Sequence, residues 1–576
     1  MSKKNITRRD FLKGTAAGAL GLTMAGLFGG CIAEAPETSA AEPVTQAPDT
    51  TAGETTQETT ADQTVQETTT QAAEAETKEA STGELGEATI TYEAEVAIVG
   101  AGAAGLMAAL NLARAGKKIL ILEAGPSTAT SNFSMCGGPA ACETKLQKEE
   151  DAWVSLDTLF GHMYAFSNTS VNGKLLKKVL AGTGKAIDDM MDLGVKMSLW
   201  PDVYGNGFRA RHYIESAGEA RTAPIAAEIE ANGGQFVYGV KVKEPVMENG
   251  KVVGVKGVCG DDIVEVRANA SLICTGGFLG NKEMQKKYFN TEVFPLGSTV
   301  SDGSGIELVH KAGGVDDRGF AVLGNECGAV TKGTQGWPFT QEWFNKNEHY
   351  GYWLFGGLYT DANGERFIDE GQVARFPLAI GGEALVRQGK AYCIMDSEYY
   401  DKVREEGIFA FLGKPEEWAA GEEADYYKTT PENAEDHLTQ AIEEGWAVKA
   451  DTLGEIAEAF GLTRLEETVE QYNGYCDAGR DEEFYKSAFF LKPVRKAPFY
   501  AFEYMPSAWG TNGGIKVNAS LRALNGDNQP IEGLFVAGVD AGSMYTMPYY
   551  DNPGSSVGLA IGSGVLAAAE IEKYLG

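Results

Sequence analysis

The strongest constraint on the fold is a strand–turn–helix–strand pattern near residue 100. A β-branched run ends in Gly100, continues as Gly-Ala-Gly-Ala-Ala-Gly to Gly105, and passes into a run of helix formers. A second apolar strand runs from Lys118 to Glu123. In such a unit the first glycine makes a tight turn, Gly102 lets the backbone approach a pyrophosphate, and the third lets helix and strand pack closely. The pattern predicts an α/β fold with a dinucleotide site, in which Glu123 accepts a ribose hydroxyl.

Charge and composition exclude several classes of protein. The 576 residues include 49 Lys and Arg against 81 Asp and Glu, for a net charge of −32. Nucleic-acid binding is therefore not expected, because phosphate contacts need a basic face. The 72 glycines follow no Gly-X-Y period, which excludes collagen. No C-x-x-C occurs, so we predict no metal site. The length predicts three to four domains, or one large α/β enzyme.

The first 31 residues have the pattern of an export signal. Thr7 to Lys13 reads Thr-Arg-Arg-Asp-Phe-Leu-Lys and resembles a twin-arginine signal, and the apolar stretch Gly14 to Gly30 is typical of a signal-peptide core. Leu27 to Cys31 resembles a loose lipobox, which predicts a lipid on Cys31; cleavage near Thr38-Ser39-Ala40 is the alternative. We therefore expect export to the periplasm or cell surface, with membrane attachment through Cys31.

A linker is predicted for residues 32–91. Ile32 to Thr89 is mostly Thr, Ala, Glu, Gln and Pro, with thirteen acidic residues, one lysine and no aromatic residue. Such a segment cannot bury enough apolar surface to offset its ordering entropy. We expect a disordered, self-repelling spacer. The rest of the chain keeps a large acidic excess of its own.

Further glycine-rich segments follow the first unit, some of them at the ends of apolar strands. They are Ser131–Gly138, Leu272–Phe278, Ser301–Gly305, Gly533–Asp540 and Pro553–Ser556. Parallel strands that end in glycines at one sheet edge are typical of cofactor sites. The dinucleotide motif alone does not separate FAD from NAD.

Residues 92–576 resemble a flavoprotein family that contains soluble fumarate reductases of the flavocytochrome c type, urocanate reductases and 3-ketosteroid Δ1-dehydrogenases. The most specific stretches are Asp451-Thr-Leu-Gly-Glu-Ile-Ala, Leu465 to Cys476, and Pro498-Phe-Tyr-Ala. The resemblance implies an α/β, Rossmann-like FAD-binding domain that is split in sequence (92–319 and 509–576). An inserted α+β capping domain (320–508) would close over the flavin and the substrate.

The same resemblance implies FAD as the cofactor. Asp540 would replace the acid that usually holds the ribityl chain, shifted by one residue. No histidine lies in the segments that match those of covalent attachment, so we expect non-covalent FAD. The predicted cofactor residues are Gly100, Gly102, Ala103, Ala104, Gly105, Glu123, Ala124, Asn132, Ser134, Gly137, Gly138, Thr275, Gly276, Gly277, Asp302, Asp540, Ser555 and Ser556.

In reductases of this family, reduced flavin N5 gives hydride to an activated C=C bond and an arginine protonates the adjacent carbon. That arginine lies four residues beyond a Gly-x-Arg-Phe-x-Asn-Glu signature, which reads Gly364-Glu-Arg-Phe-Ile-Asp-Glu370 in this chain. Ala374 stands at the family's arginine position and Arg375 follows. The resemblance therefore implies Arg375 as the proton donor, with a structural ion pair as the alternative.

The carboxylate clamp of the dicarboxylate reductases is missing. The clamp histidine is absent from Trp509–Gly514, and the clamp arginine is absent from Met547–Gly554. Without those cations a small dianion would be desolvated unpaired, at a cost of several kcal/mol. We therefore expect a substrate other than fumarate.

The final loop resembles that of ketosteroid dehydrogenases instead. Tyr550-Asp-Asn-Pro-Gly554 is similar to their Tyr-Pro-Gly-Pro-Gly, in which the Tyr hydroxyl and the last Gly N–H hold the substrate carbonyl. Tyr550 and Gly554 are therefore predicted to be catalytic, and Tyr549 to contact the substrate. Arg211 and His212 match a stretch near the flavin in the family, which implies that they bind a substrate carboxylate or, alternatively, simply line the FAD. A bulky or aromatic substrate is favoured by the aromatic residues Trp343, Phe344, Tyr350, Tyr352, Trp353, Phe355, Trp509, Tyr545 and Tyr549.

Taken together, the sequence predicts an exported FAD-dependent reductase of a small enoate or enone in anaerobic respiration. The alternatives are a ketosteroid-type desaturase, a fumarate reductase and a non-catalytic electron-carrier lipoprotein. No C-x-x-C-H haem motif occurs, so a separate cytochrome or flavoprotein is expected to donate electrons.

Overall fold

The computed structural model describes residues 85–202, 206–323, 329–330, 357–375, 382–412 and 434–576. The predictions for the export signal and Cys31 lie outside these ranges, as do those for most of the linker and for the six aromatic residues between 343 and 355. For Arg375 the structure describes the backbone but not the side chain. Residues 81–576 form one compact unit.

The strands are numbered in chain order. They are β1 (Ile90–Val99), β2 (Ile119–Glu123), β3 (Met197–Leu199), β4 (His212–Ile214), β5 (Gln235–Tyr238), β6 (Lys241–Glu248), β7 (Lys251–Cys259), β8 (Asp262–Ile273), β9 (Phe294–Pro295), β10 (Ala321–Leu323), β11 (Ala329–Val330), β12 (Leu358–Thr360), β13 (Ala391–Met395), β14 (Ala447–Ala450), β15 (Phe499–Ala508), β16 (Gly510–Asn512), β17 (Arg522–Leu524) and β18 (Pro530–Val536).

The helices are numbered in the same way. They are α1 (Ala103–Arg114), α2 (Lys145–Glu149), α3 (Leu156–Phe166), α4 (Gly173–Asp192), α5 (Glu219–Ala231), α6 (Lys282–Phe289), α7 (Ser304–Lys311), α8 (Glu370–Arg375), α9 (Gly382–Gln388), α10 (Ser397–Leu412), α11 (Ala434–Glu443), α12 (Leu453–Phe460), α13 (Leu465–Ala478) and α14 (Ser555–Leu575). Short 3₁₀ turns cover Thr128–Thr130, Asn132–Ser134, Ala488–Phe490, Gly538–Asp540 and Gly542–Met544.

An eight-stranded sheet forms the larger layer. Its main path runs β17-β18-β8-β1-β2-β5, and β7 joins β8 and carries β6. The strands β18, β8, β1, β2 and β5 are mutually parallel. The last four residues of β1 and all of β2 are buried, because both faces of a parallel sheet are covered. The predicted strand–helix–strand unit is present, with β1 beginning at Ile90, inside the range assigned to the linker.

A second sheet is organised by β15. This strand pairs antiparallel with β11, β13 and β14 and parallel with β9, and β12 extends the sheet beyond β13. Its faces bury separate apolar clusters, one around Trp446 and Phe502 and another around Ile456 and Tyr472. Two pairings cross the predicted limits of the capping domain: β9 with β15, and β10 with β16. The domain boundaries stay predictions.

Helix α14 crosses the main core between α1 and α4. Glycines make this crossing close: a Cβ on Gly564 would lie 2.3 Å from the Ala104 carbonyl oxygen, and one on Gly562 would lie 2.3 Å from that of Val179. Among the described residues, α14 is the helix long and apolar enough to cross a membrane, but two-thirds of its apolar window is buried. It therefore reads as a core helix.

Gly562→Ala is expected to destabilise the fold. The added methyl group would meet backbone of α4, and overpacking of this kind costs about 1–3 kcal/mol. Gly161→Ala is the matched control, because this exposed glycine lies inside α3 with nothing within 4 Å of its Cβ position. There alanine should stabilise the helix by about 1 kcal/mol. Urea unfolding of both variants measures the difference; equal effects would contradict the tight crossing.

Candidate active site

A cavity of about 550 Å³ lies at the carboxyl ends of the parallel strands. Gly100 follows β1, Glu123 ends β2, Thr275 and Gly276 follow β8, and Gly538 follows β18; all of these line the cavity. Ligands of open α/β sheets bind at this edge. The strands therefore bring four distant segments of sequence to one site.

The first glycine turn closes this edge tightly. Gly100 has φ +105°, and a Cβ there would lie 2.4 Å from the Cys274 carbonyl oxygen. Gly105 does not line the cavity; its Cβ would lie 1.9 Å from the Gly100 carbonyl oxygen, so it sets the packing of α1 beneath the turn. Gly102 faces the cavity, with the nearest atom to its Cβ position 3.6 Å away in Ser131. The free N–H groups at the start of α1 suit a phosphate there.

Glu123 is buried and holds the turn together. Its Oε2 accepts the Ala101 N–H at 2.8 Å, and its Oε1 accepts the Gly125 N–H at 2.8 Å. Burial raises the pKa of this carboxyl group, and the backbone N–H groups of Ala101, Gly125 and Ala124 oppose the increase. Each carboxylate oxygen keeps a further lone pair. Glu123 lines the cavity together with Ala124, so a ribose hydroxyl could bind there.

Another part of the cavity wall contains the predicted segment 132–138. Asn132, Ser134, Gly137 and Gly138 all line the cavity. The Asn132 amide Nδ2 donates to the Trp509 carbonyl oxygen at 2.6 Å, and its Oδ1 accepts the Ser298 N–H at 2.6 Å. Asn132 therefore ties three segments of the wall, and these bonds already use both ends of its amide.

Asp540 lies behind the wall rather than in it. The side chain is fully buried and does not line the cavity. Its Oδ2 accepts the Thr275 N–H and hydroxyl, the latter at 2.9 Å, and its Oδ1 accepts the Gly277 N–H at 2.8 Å. Burial raises the pKa of Asp540, against these hydrogen bonds. The predicted contact with the ribityl chain does not match this placement, because both oxygens hold the 275–277 turn.

The start of α14 borders the cavity. Gly554 has φ +79° and precedes α14, and both Gly554 and Ser556 line the cavity. Ser555 does not; its hydroxyl donates to the Asn552 carbonyl oxygen. The N–H groups of Ser555 and Ser556 are already bound, by the Asn552 carbonyl oxygen and the Tyr549 hydroxyl oxygen, so the helix contributes the positive end of its dipole here. This end of the cavity suits a ligand rich in acceptors.

Asn512 provides an unpaired donor at this end. Its Oδ1 accepts the Ser556 hydroxyl at 2.9 Å. Its Nδ2 is buried and bonds to none of the described residues. Because buried amides are normally paired, this donor fits a cofactor with ring carbonyl and imine acceptors, as FAD has.

The two adjacent tyrosines of the final loop point in different directions. Tyr549 lines the cavity, and its hydroxyl oxygen accepts the Ser556 N–H at 2.9 Å. Tyr550 is 1% exposed, does not line the cavity, and donates its hydroxyl to the Met544 carbonyl oxygen at 2.9 Å. Burial also raises the pKa of Tyr550. The predicted polarising role of Tyr550 does not match this placement.

The side chains of the basic residues after β3 also point in different directions. Arg211 lines the cavity, with its guanidinium carbon 3.6 Å above the centre of the Trp200 ring. His212 is fully buried outside the cavity: its Nε2 lies 2.9 Å from the Thr144 hydroxyl and its Nδ1 3.0 Å from the Ala210 carbonyl oxygen. The predicted contact of His212 with substrate does not match this placement. Arg209 also lies away from the cavity, on Glu150.

The Gly364–Glu370 signature forms a buried ion network. Arg366 has a fully buried side chain that binds Glu370 through two hydrogen bonds of 3.0 and 2.8 Å and Asp481 through two of 3.1 and 3.0 Å. Glu370 begins α8, so the network anchors the helix that ends at Arg375. None of the signature residues lines the cavity. The role of Arg375 stays a prediction.

One residue that supports the cavity wall from behind was not predicted from the sequence. Arg221 is 2% exposed, and its guanidinium donates to the carbonyl oxygens of Phe133 and Cys136 at 2.6 Å and of Ser216 at 2.7 Å. It therefore fixes the loop that carries Ser134 and Gly137. The sequence signal that could have indicated this role is an arginine next to alanines and a proline on α5.

Few charges face the cavity. Among its lining residues in the described chain, Glu123, Asp302 and Arg211 carry charge. The predicted residues Ala103, Ala104 and Thr275 also line it, whereas Gly277 does not. An acid at one end, glycine N–H groups beside it, and the unpaired Asn512 amide with the start of α14 at the other end fit the adenosine, pyrophosphate and flavin parts of FAD in that order.

His212 should make stability depend on pH. Burial lowers its pKa to about 4, whereas an unfolded histidine takes up a proton near 6.5. The stability that the neutral ring contributes is therefore complete above 6.5 and is lost as the pH falls toward 4. Between pH 7 and pH 5 the native chain should lose about 2 kcal/mol more unfolding free energy than His212→Gln. Urea titrations at both pH values test this; equal losses would contradict it.

Comparisons with known proteins agree with this site. A family model described as FAD binding domain matches residues 95–557, and one described as TAT (twin-arginine translocation) pathway signal sequence matches residues 5–25. Vinyl phenol reductase of Lactiplantibacillus plantarum is 28% identical over 83% of this chain and 96% of its own length. Urocanate reductase of Eggerthella lenta is 25% identical over 79% of this chain and 70% of its own length.

The fold is similar to that of a solved flavoprotein. The open conformation of a flavocytochrome c3 fumarate reductase superposes with a TM-score of 0.59 at 20% sequence identity. The similarity covers 84% of this chain and 79% of that one. The predicted α/β FAD-binding fold is therefore confirmed.

Proposed function

Because the chain belongs to the FAD binding domain family and carries a twin-arginine export signal, we propose that it is an exported reductase of activated C=C bonds. Its cofactor is FAD and its chemistry is oxidoreduction. Bound FAD would supply the hydride that the alkene accepts. Relatives named vinyl phenol reductase and urocanate reductase support the direction of the reaction.

The composition of the cavity wall carries the proposal for the substrate. Arg211 is the cation among the described lining residues, and Trp509 and Tyr549 add aromatic surface beside the start of α14. A dicarboxylate needs two paired cations when it leaves water. An aryl alkene or enoate with at most one negative charge needs fewer, because its ring packs on apolar and aromatic surface. The proposed substrate is therefore a bulky or aromatic enoate, enone or vinylarene.

Arg375 is the proposed proton donor to the second alkene carbon. Its position at the end of α8, a helix anchored by the buried Arg366–Glu370 pair, would give it a fixed approach. The proposed electron source is a separate cytochrome or flavoprotein, with anaerobic respiration as the context. Attachment to the membrane through a lipid on Cys31 belongs to the same proposal.

A panel of electron acceptors tests the substrate class. The FAD-loaded protein, reduced with a viologen dye under anaerobic conditions, should reduce 4-hydroxystyrene or a cinnamate-type enoate at least tenfold faster than fumarate. The physical reason is that fumarate brings two carboxylates out of water and these acceptors at most one, and each further carboxylate without a cation costs more than about 1.4 kcal/mol, or tenfold, when desolvated. Dye oxidation at 600 nm measures the rates of all acceptors in parallel.

Two outcomes of this panel would refute the proposal. If fumarate is turned over as fast as the aryl acceptors or faster, the protein is a dicarboxylate reductase instead. Oxidation of a 3-ketosteroid by the oxidised protein, without reduction of any alkene, would make it a desaturase.

Paired tyrosine variants test which hydroxyl acts on the substrate. Tyr549→Phe should lower kcat/KM about 10²-fold, because Tyr549 lines the cavity and removal of one polarising donor costs this much. Tyr550→Phe should leave kcat/KM nearly unchanged and lower stability by about 1 kcal/mol, through the lost bond to the Met544 carbonyl oxygen. Steady-state kinetics and urea unfolding of both variants test this prediction. A large loss of kcat/KM in Tyr550→Phe but not in Tyr549→Phe would assign the polarising role to Tyr550.

A further inference from the structure

Arg211 is held in a fixed position on the cavity wall. Its guanidinium stacks on Trp200, whose ring packs edge-on against Tyr213 at 5.5 Å between centroids. The Trp200 N–H also donates to the Arg211 carbonyl oxygen at 3.0 Å. Beside the guanidinium, a Cβ on Gly137 would lie 2.6 Å from an Arg211 terminal nitrogen and 3.9 Å from the Trp200 ring. The side chain therefore stacks on an indole and is bordered by a glycine, where an added methyl group would displace the end of the guanidinium.

The position of Arg211 along the cavity follows from its neighbours. Ala140 pairs with Arg211 in an isolated bridge, and the Ala140 N–H donates to the Gly554 carbonyl oxygen at 2.9 Å. A Cβ on Gly554 would lie 2.4 Å from the Gly138 carbonyl oxygen. Arg211 therefore belongs to the end of the cavity where α14 begins, away from Glu123 and the first glycine turn.

Two sources of positive potential meet at this end. One is the Arg211 guanidinium, which stays charged at physiological pH. The other is the N-terminus of α14, a helix of 21 residues, which carries about half a positive charge. A neutral oxidised flavin gains little from this field. Reduction by two electrons and one proton places negative charge on the N1–C2=O side of the ring, which this field would stabilise.

We infer that Arg211 tunes the flavin rather than clamping the substrate: it favours the anionic reduced form and raises the midpoint potential of bound FAD. The inference rests on the proposed function only for the direction of electron flow, since a reductase must take electrons from a donor before it reduces an acceptor. Trp200 and Gly137 act as positioning residues, because they fix where the charge stands.

A redox titration of the FAD-loaded protein tests the inference. If Arg211 favours reduced over oxidised FAD tenfold or more, Arg211→Gln lowers the two-electron midpoint by about 30 mV or more. Arg211→Lys keeps the charge but loses the planar group that stacks on Trp200, so its midpoint should lie between those of the native protein and Arg211→Gln. Gly137→Ala should lower the midpoint in the same direction, because the new methyl group displaces a guanidinium that is still charged.

Arg209→Gln is the matched control. Arg209 lies two residues away and binds Glu150 at 2.9 Å and the Trp200 carbonyl oxygen at 3.2 Å, outside the cavity lining. Its midpoint should equal that of the native protein. If Arg211→Gln does not retain FAD, the Lys and Gly137→Ala variants carry the test.

The titration uses no alkene, so it stands even if the proposed substrate class fails. An unchanged midpoint in Arg211→Gln, with weaker binding of oxidised FAD, would overturn the inference and leave a purely structural residue. An unchanged midpoint together with a raised KM for carboxylate acceptors, but not for neutral ones, would overturn it in favour of a substrate clamp.

Discussion

The cavity depends on one buried carboxylate. Asp540 is fully buried, and a buried charge is tolerated only when it is fully hydrogen-bonded. The N–H groups of Thr275 and Gly277 and the Thr275 hydroxyl supply those bonds. Since Asp540 follows β18 and the turn follows β8, the carboxylate locks together strand ends that are 265 residues apart in sequence. Gly276 and Gly277 adopt positive φ in this turn, which directs its N–H groups inward to the acid.

The packing of the long C-terminal helix α14 also fixes the geometry of the site. Gly562 and Gly564 allow α14 to lie against α4 and α1 with almost no space between backbones. That depth brings the first turn of α14 to the cavity, where Gly554 and Ser556 line it. Packing in the core therefore sets the position of the helix dipole at the site. A helix held a few ångströms farther out would place its donors too far away for hydrogen bonds.

The sequence predicted the parts of the fold that are locally encoded. The turn at Gly100, the helix behind it and the strand ending at Glu123 follow from glycine positions and apolar periodicity, and all three are observed in that order. The second sheet was implied only by family resemblance. Its order depends on β15 pairing with four other strands, and such long-range pairing leaves no local signal in the sequence.

Side-chain direction at the site was less predictable. Tyr549 and Tyr550 are neighbours, yet one lines the cavity and the other bonds to the Met544 carbonyl oxygen. Arg211 and His212 divide in the same way, because adjacent residues of an extended segment point to opposite sides. A motif match that is shifted by one residue in a loop therefore exchanges a side chain that lines the cavity for one that is buried behind it. Tertiary packing decides between the two.

The acidic composition and the sparsely charged cavity have separate consequences. Exposed charges are screened over about 8–10 Å at physiological ionic strength, so the net charge of −32 acts mainly on encounters with charged partners. Inside the cavity, screening is weak and a single guanidinium has a large effect. Phosphate and flavin acceptors of bound FAD would find backbone N–H groups and helix ends along the cavity wall, which provide positive potential without titratable cations. The redox properties of the flavin are then governed by a few fixed groups, and the surface of the protein can be strongly acidic without altering them.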